Sequence, residues 1–199
     1  MKNRIALFFL LFIASITLLF YLLNREMEAK YNQHQWETLE LENSFNKMNE
    51  ELNKTLTHTT VQNIIIEDTL LQQLSLSDLV SRSPVLIFRF SELACTACYE
   101  TEFLSLRNIF PNTKQQIVFL SSYGEKRHFI MFKRSNQIEF PFFRIPQDAF
   151  DWALEDYGLP YYFVLHPDLT VSHIYIPDAV LPELNRQYLE EVKKYLSSK

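Results

Sequence analysis

Hydrophobic residues follow three different patterns along the chain, and each pattern predicts a different kind of segment. From Ile5 to Leu23 the chain carries no charged residue. Residues 24–57 are polar, lack glycine and proline, and favour helix-forming side chains. After them, short apolar runs alternate with polar turns, as in a globular domain. The pattern therefore predicts three regions, which are residues 1–23, 24–57 and 58–199.

The uncharged first run is long enough for a transmembrane helix, which needs roughly 20 apolar residues. Lys2 and Arg4 precede it, so the positive-inside tendency places the N-terminus in the cytoplasm. A cleaved signal peptide would have a shorter run with small residues at its end, whereas this run ends in Leu22-Leu23. No cysteine follows it directly, as a lipoprotein signal would require. We therefore expect an uncleaved signal anchor that crosses the inner membrane once, with the remaining chain in the periplasm.

The polar segment at residues 24–57 predicts a helical stalk. Its heptad seam positions are Met27, His34, Leu41 and Met48 on one side, and Tyr31, Thr38, Phe45 and Leu52 on the other. About half of these side chains are good apolar knobs for a coiled coil. The pattern favours a spacer that lifts the domain off the bilayer, and it leaves weak homodimerisation through the stalk open.

The apolar runs of residues 58–199 predict an α/β domain. Predicted strands are 61–66, 84–90, 116–121, 161–165 and 171–176, with an extended segment at 140–145. Predicted helices are 95–110, 125–134 and 184–196, and residues 74–79 predict a turn or a short helical piece. The runs at 84–90 and 116–121 are apolar almost throughout, as in strands that are covered on both faces. This order of elements indicates a central mixed sheet.

Composition and charge mainly exclude functions. Hydrophobic residues make up 47% of the 199 residues and charged residues 22%, which is typical of a folded domain and not of a disordered chain. The net charge of -5, without a basic stretch, argues against nucleic-acid binding. Zinc would need two ligands besides the two cysteines, and the histidines show no ligand spacing. We therefore expect no metal and no other cofactor.

The strongest chemical signal is the sequence Cys95-Thr96-Ala97-Cys98, which contains both cysteines of the chain. It follows a predicted strand and opens a predicted helix, where free N–H groups and the helix dipole favour a thiolate. A thiolate attacks disulfides, and a second thiol one turn along can resolve the mixed disulfide. Cys95 is then the nucleophile and Cys98 the resolving thiol. The alternatives are a structural disulfide, whose small loop would stabilise the domain little, and a pair that persists without turnover.

These features resemble the thioredoxin-like superfamily over about residues 61–196, most closely the membrane-tethered TlpA/ResA-type thiol-disulfide oxidoreductases and related alkyl-hydroperoxide-reductase-like domains. The matching segments are residues 74–79, PVLIFRF before the Cys-x-x-Cys, Phe140-Pro141-Phe142, and Tyr157-Gly158-Leu159-Pro160 before YYFVL. The resemblance implies a three-layer sandwich and a cis bond between Leu159 and Pro160. It also implies that this proline loop lies against the dithiol and binds an extended substrate chain, which makes Leu159 and Pro160 candidate substrate-binding residues.

The sequence departs from the family pattern near the dithiol. Ala94 replaces an aromatic residue, Thr96 and Ala97 stand where a proline is common, and Tyr161 replaces the threonine that usually follows the proline. The fold expectation is unaffected, but redox potential and partner are not fixed by the resemblance.

Two functions follow from this sequence. The first is a thiol-disulfide oxidoreductase whose substrate is an envelope protein with a dithiol or disulfide, and the retention of both cysteines favours it. The second is a degenerate thioredoxin fold that binds or signals without turnover. Three carboxyls near the dithiol, Glu92, Glu100 and Glu102, are candidate proton carriers, although such residues more often are solvated at a helix start.

Overall fold

A seven-stranded sheet organises the domain in the computed structural model, which describes residues 2–92, 96–111, 116–156 and 158–198. The side chains of residues 2–15, 96–98 and 100 lie outside the description. The strands are β1 (Ile65–Asp68), β2 (Gln73–Ser75), β3 (Val85–Ser91), β4 (Ile117–Ser122), β5 (Phe142–Ile145), β6 (Tyr161–Leu165) and β7 (Val171–Tyr175). The helices are α1 (Lys2–Leu56), α2 (Leu76–Leu79), α3 (Thr96–Ile109), α4 (Lys126–Ser135), α5 (Ala153–Asp156) and α6 (Pro182–Ser197).

The sheet is mixed, with the strand order β2-β1-β5-β4-β3-β6-β7. Strands β3, β4 and β5 are parallel to one another, and the remaining pairs are antiparallel. Strand β3 has neighbours on both sides, and its residues from Val85 to Phe90 are all buried. The predicted central mixed sheet is therefore confirmed, and the apolar run before the cysteines forms its middle strand.

Both faces of the sheet are covered, because alternate residues of each buried strand point to opposite faces. On one face, α3, α4 and α6 pack on a layer of aromatic rings, among them Phe88, Phe90, Phe103 and Phe132. On the other face lies a mostly aliphatic cluster, whose members from outside the sheet include Leu76, Leu154 and the partly buried Leu52 and Leu56. The result is three layers, with the aromatic layer under the helix that carries the cysteine motif.

The last turns of α1 cover the outer edge of β7. The Asn53 side-chain oxygen accepts from the Ile174 N–H at 3.2 Å, and the Asn49 oxygen accepts from the Ile176 N–H at 2.8 Å. Residues 58–61 continue along the same edge and exchange backbone hydrogen bonds with the start of β7. The edge N–H groups that would otherwise face solvent are thereby satisfied.

This edge pairing corrects one predicted boundary. The strand predicted at residues 61–66 begins only at Ile65, because the Val61 N–H donates to the Leu169 carbonyl oxygen at 3.0 Å instead of joining β1. A β-branched run cannot reveal which of two neighbouring edges it will pair with.

The chain divides into two compact units, of which the first ends at Lys47 and the second begins at Met48. The first unit belongs to α1, and in it Ile16 and the residues from Leu18 to Leu23 are each at least half exposed. Among the residues whose side chains are described, no helix is long and apolar enough to cross a membrane. Residues 5–15 of the predicted anchor lie outside that set.

The segment predicted as a stalk, residues 24–57, is helical up to Leu56, where α1 ends. Its seam positions differ in exposure. Met27, Tyr31 and Leu41 are exposed, whereas Leu52 packs against the aliphatic core cluster of the domain. The last seam position, Leu52, thus packs on the domain of its own chain. A dimer through the stalk would therefore have to use the earlier seam positions.

Candidate functional site

The candidate site lies where the central strand passes into α3. Strand β3 ends at Ser91, and α3 begins at Thr96, so a helix follows the strand as the sequence predicts. Cys95 and the side chain of Cys98 lie outside the described residues. The described parts of the site are the backbone of α3 and the residues that pack against this helix.

Aromatic contacts give the direction of α3 across the sheet. Tyr99 packs on Phe90 with ring centroids 5.5 Å apart, whereas Phe103, one turn later, contacts both Phe90 and Phe88 with centroids 6.0 and 6.1 Å apart. As α3 advances, its contacts move back along β3, so the helix runs antiparallel to that strand. Since β6 is antiparallel to β3, it runs in the same direction as α3.

A buried hydrogen bond then aligns α3 with β6. The Tyr162 hydroxyl donates to Glu102 Oε2 at 2.8 Å. Helix position 98 is about one turn, or roughly 6 Å, before Glu102. Pro160 is two residues before Tyr162, which is about 7 Å along an extended chain. Position 98 of the helix and Pro160 are therefore displaced by similar distances, and in the same direction, from the two residues that this hydrogen bond joins.

The proline loop differs from the expectation in one respect. The bond between Leu159 and Pro160 is trans, and the described residues contain no cis peptide bond, so the cis bond implied by the resemblance is wrong here. A trans bond is the lower-energy form of an X–Pro peptide. Leu159 is 45% exposed and Pro160 is buried, while Gly158 takes a left-handed φ of 61° that favours glycine.

Two of the three carboxyls predicted near the dithiol, Glu102 and Glu92, differ in burial. Glu102 is buried, and its only described donors are neutral, namely Tyr162 and the Asn185 amide, which donates to Oε1 at 2.9 Å. Burial raises the pKa of Glu102 above the ordinary carboxyl value of 4.5, and the hydrogen bonds from Tyr162 and Asn185 only partly oppose this effect. Glu92 instead lies at the surface, and the Glu100 side chain is outside the description.

Arg89 is a component of the site that the sequence analysis did not single out. This residue of β3 is 1% exposed, on the face of the sheet opposite α3. Its Nε and Nη2 donate to the two carboxylate oxygens of Glu155 at 3.0 and 2.6 Å, and Nη2 also donates to the Ser122 hydroxyl at 3.1 Å. The sequence did contain a sign of this residue, because Arg89 is the one charged residue in the apolar run PVLIFRF. A charge in a buried strand requires a partner.

The Arg89–Glu155 pair also fixes the residue that follows the proline. The Tyr161 hydroxyl donates to Glu155 Oε1 at 2.5 Å. Burial, and secondarily the Glu155 carboxylate, raise the pKa of Tyr161 well above 10, so the phenol keeps its proton and remains a donor. The start of β6, next to Pro160, is thereby linked through Glu155 to the central strand.

Metal ligands are not gathered at this site. In the described part of the chain, no three histidine, cysteine, aspartate or glutamate side chains form a group that could hold a metal ion. His166 and His173 approach each other through Ser172, whose hydroxyl lies 2.8 Å from a ring nitrogen of each. They belong to the β6–β7 hairpin, at the opposite end of β6 from Pro160.

No protein-family model and no curated protein sequence matches the chain. Several solved structures are similar. A suggested protein disulfide isomerase from Bacteroides thetaiotaomicron matches with a TM-score of 0.56 at 15% identity, over 71% of this chain and 90% of that one. The thioredoxin domain of a thiol-disulfide oxidoreductase from Bacteroides vulgatus matches with a TM-score of 0.53 at 16% identity, over 70% and 97%. These similarities establish a thioredoxin-like fold for the domain.

We expect the Glu155→Ala substitution to lower the free energy of unfolding by about 3 kcal/mol, because it leaves the Arg89 charge buried without a counter-ion. Glu155→Gln keeps one acceptor and should cost less. Urea unfolding of the detergent-solubilised protein measures both. Asp151→Ala, which removes an exposed carboxylate nearby, is the control and should change stability by less than about 0.5 kcal/mol. Equal effects of Glu155→Ala and Asp151→Ala would contradict the assigned role.

The raised pKa of Glu102 predicts a pH dependence of stability. The folded state binds this proton more tightly than the unfolded chain, so the group favours folding below pH 4.5, and its contribution is lost as pH rises through the raised pKa. Glu102→Gln stays neutral, so its stability relative to the wild type should increase as the pH rises above about 4.5. Urea unfolding at several pH values tests this, with the exposed Glu125→Gln as control. A difference that does not change with pH would refute it.

Proposed function

We propose that the chain is a membrane-tethered thiol-disulfide oxidoreductase of the cell envelope, acting on protein dithiols or disulfides through Cys95 and Cys98. One observation carries the proposal. The helix that bears the Cys-x-x-Cys motif follows the central strand of a thioredoxin-like sheet, and the hydrogen bond between Glu102 and Tyr162 joins this helix to the strand that begins after Pro160. This connection supports a dithiol and a substrate loop at the same end of the domain.

The chemistry assigned to the cysteines is disulfide exchange. The Cys95 thiolate attacks one sulfur of a substrate disulfide, forms a mixed disulfide and releases the other substrate sulfur as a thiolate. Cys98 then attacks the Cys95 sulfur, which releases the second substrate thiol and leaves the protein oxidised. The reverse sequence oxidises a substrate dithiol. Glu102, one helical turn after Cys98 and buried, is suited to accept the Cys98 proton during the second step.

Leu159 and Pro160 are proposed to bind the substrate chain. Pro160 is buried, and the next residue, Tyr161, is held by its hydrogen bond to Glu155. The C-terminal end of the loop is therefore fixed to the domain. The Leu159 side chain is exposed and offers an apolar contact next to the proposed dithiol. An extended substrate segment could pair with the backbone before the proline, as peptides pair with exposed edges in other domains.

The tether is proposed from the first run of the chain. Its uncharged stretch from Ile5 to Leu23 follows Lys2 and Arg4, which favours an N-terminus in the cytoplasm and a domain in the periplasm. The exposed side chains of Ile16 and of residues 18–23 support this assignment, because such an apolar surface is stable when lipid covers it.

The alternative function is a binding or signalling module without turnover. One observation favours it. The residue after Pro160 is a tyrosine whose hydroxyl is turned inward to Glu155, where the resembling families place a threonine beside the dithiol. The two functions differ in whether the cysteines cycle between thiol and disulfide, and the following experiment separates them.

Thiol trapping of the detergent-solubilised full chain across a graded redox buffer should show one two-electron transition, at roughly -270 to -120 mV if the domain is a working oxidoreductase. With a disulfide substrate, Cys98→Ser should accumulate a mixed disulfide, because the resolving thiol is missing, and Cys95→Ser should not. A pair that never oxidises, or that no reductant reaches, would leave the binding module as the better explanation.

Placing two arginines in the first run, as Ile13→Arg with Ile16→Arg, should release the protein from membranes during alkaline carbonate extraction. Each arginine costs about 2.5–3.5 kcal/mol at the centre of a membrane helix. Met27→Arg, which lies beyond the run, is the control and should remain in the membrane fraction. Protease added to spheroplasts should digest the domain of the wild type. Retention of the double variant in the membrane would contradict the proposed anchor.

A further inference from the structure

Two histidine rings share one serine hydroxyl at the hairpin between β6 and β7. His166 directly follows β6, whereas Ser172 and His173 belong to β7. The buried Ser172 oxygen lies 2.8 Å from His166 Nε2 and 2.8 Å from His173 Nδ1. The ring of Tyr195, from α6, packs on both histidines, with its centroid 6.2 and 4.5 Å from theirs. The two rings are therefore held against the hydroxyl by packing as well as by hydrogen bonds.

An irregularity in β7 brings His173 to its neighbour Ser172. Adjacent residues of a regular strand point to opposite faces of the sheet. Here the register of β6 and β7 shifts between Tyr162 and Val164, and His173 has a left-handed φ of 52°. That conformation is unfavourable for a residue with a β-carbon, and the Tyr188 hydroxyl holds it by donating to the His173 carbonyl oxygen at 2.6 Å. Backbone conformations of this kind recur at functional sites, where bulges redirect side chains.

The shared hydroxyl can satisfy both rings only while at least one of them is neutral. Ser172 has one proton to donate and two lone pairs that accept. A neutral ring can accept that proton, while the Ser172 oxygen accepts from the other ring. When both rings are charged, both facing nitrogens are donors, and no described group accepts the Ser172 proton. The two charges would then be less than about 6 Å apart, where like charges disfavour each other, so the pair binds its last proton only at a cost.

Carboxylates near the two rings do not remove this cost. Glu191 of α6 acts on His173, and Asp168 of the hairpin turn interacts with His166. Burial lowers the pKa of His173 below its ordinary value of 6.5, against the opposing effect of Glu191, and His166 lowers it further. In acid, the closed hairpin therefore binds fewer protons than an opened one.

The segment before β1 adds a third histidine to this corner of the domain. His58 lines a cavity with His166 and Asp168, and like other histidines it gains a positive charge in acid. On α1, Glu50 and Lys54 lie beside His58 and pair with each other at 4.0 Å, so their charges offset one another. Acid thus adds positive charge both to the hairpin and to the segment that pairs with it.

The hairpin also holds the segment that joins α1 to β1. The His58 N–H donates to the Val171 carbonyl oxygen at 2.8 Å, and the Val171 N–H donates to the Thr59 carbonyl oxygen at 3.0 Å. The Val61 N–H donates to the Leu169 carbonyl oxygen at 3.0 Å. Leu169 and Val171 both lie between the two histidines of the hairpin in sequence, so a hairpin that opens loses these hydrogen bonds.

We propose that His166, Ser172 and His173 form an acid-sensitive lock on residues 58–61. While at least one ring is neutral, the hairpin is closed and residues 58–61 stay paired with β7. When both rings are protonated, the hairpin opens and this segment is released. The lock regulates how firmly the connection between α1 and the sheet is held, and it is independent of the proposed disulfide exchange.

Amide hydrogen exchange of the detergent-solubilised full chain tests the lock. Labelling at pH 7, 6 and 5, with times adjusted for the intrinsic pH dependence of exchange, measures how often each segment opens. Protection of residues 58–61 and 169–171 should fall about tenfold or more from pH 7 to pH 5, because the opened hairpin binds at least one additional proton. Strands β3 and β4 should keep their protection, since the lock acts at the edge of the sheet.

Two substitutions each remove one titratable ring from the lock. His173→Asn places an amide near the position of Nδ1, and asparagine tolerates a left-handed φ. His166→Gln places an amide near the position of Nε2. Each amide can donate to Ser172 or accept from it but is not protonated in this range, so the fall in protection should shrink to about twofold or less. His34→Gln, at an exposed position of α1, is the matched control and should behave as the wild type.

Three outcomes would overturn the inference. The first is a wild type whose protection at residues 58–61 does not change between pH 7 and pH 5. The second is an equal loss of protection in β3, which would indicate general unfolding in acid. The third is a loss that persists in both lock variants, which would assign it to other groups such as His58. Because the two rings are substituted separately, a packing defect in one variant leaves the other as the test.

Discussion

The buried guanidinium of Arg89 constrains the surroundings of the candidate site more than any other group described. A charge in the middle strand of a covered sheet is costly unless ion pairing and hydrogen bonds compensate it. Glu155 supplies the counter-charge, and the Ser122 hydroxyl and the Phe90 carbonyl oxygen accept further hydrogen bonds from the guanidinium. If any of these groups moved away, the buried charge would be left only partly compensated. The short helix α5 and the strand that follows the proline are held by this requirement.

The two faces of β3 contribute differently to the site. Phe88 and Phe90 point to the aromatic layer and set the position of α3, whereas Arg89 points the other way and sets the position of the proline segment. Because alternate residues of one strand do both, the helix with the cysteine motif and the loop with Pro160 are positioned from a common base. Such a base favours a fixed distance between them, which disulfide exchange requires.

Much of the fold could be predicted from the sequence, because long apolar runs and amphipathic periods survive tertiary packing. The central strand and the helix after it are examples. Local patterns could not predict the pairing of residues 58–61 with β7, since it depends on a neighbour that is distant in sequence. The sequence also could not show that Glu102 is buried whereas Glu92 lies at the surface. The environment of Glu102 depends on Tyr162 and Asn185, which belong to other elements.

The site itself was only partly accessible to sequence reasoning. The spacing of Cys95 and Cys98 predicts the chemistry, and the residues around Pro160 predict a second component of the site. Arg89 was not singled out, since its role comes from contacts with Glu155 and Ser122, which are far from it in sequence. The trans Leu159–Pro160 bond differs from the resembling families, and a motif match carries no information on it.

The end of α1 has a consequence for the domain if it is cleaved from the rest of that helix. Asn49 and Asn53 occupy the N–H groups of Ile174 and Ile176, and the opposite edge strand, β2, is only three residues long. Neither edge of the sheet therefore offers a long template for strand addition by another chain. A proteolytic fragment that starts after these asparagines would carry an open edge, and crowded copies of it could associate edge to edge. The last turns of α1 thus also protect the sheet against aggregation.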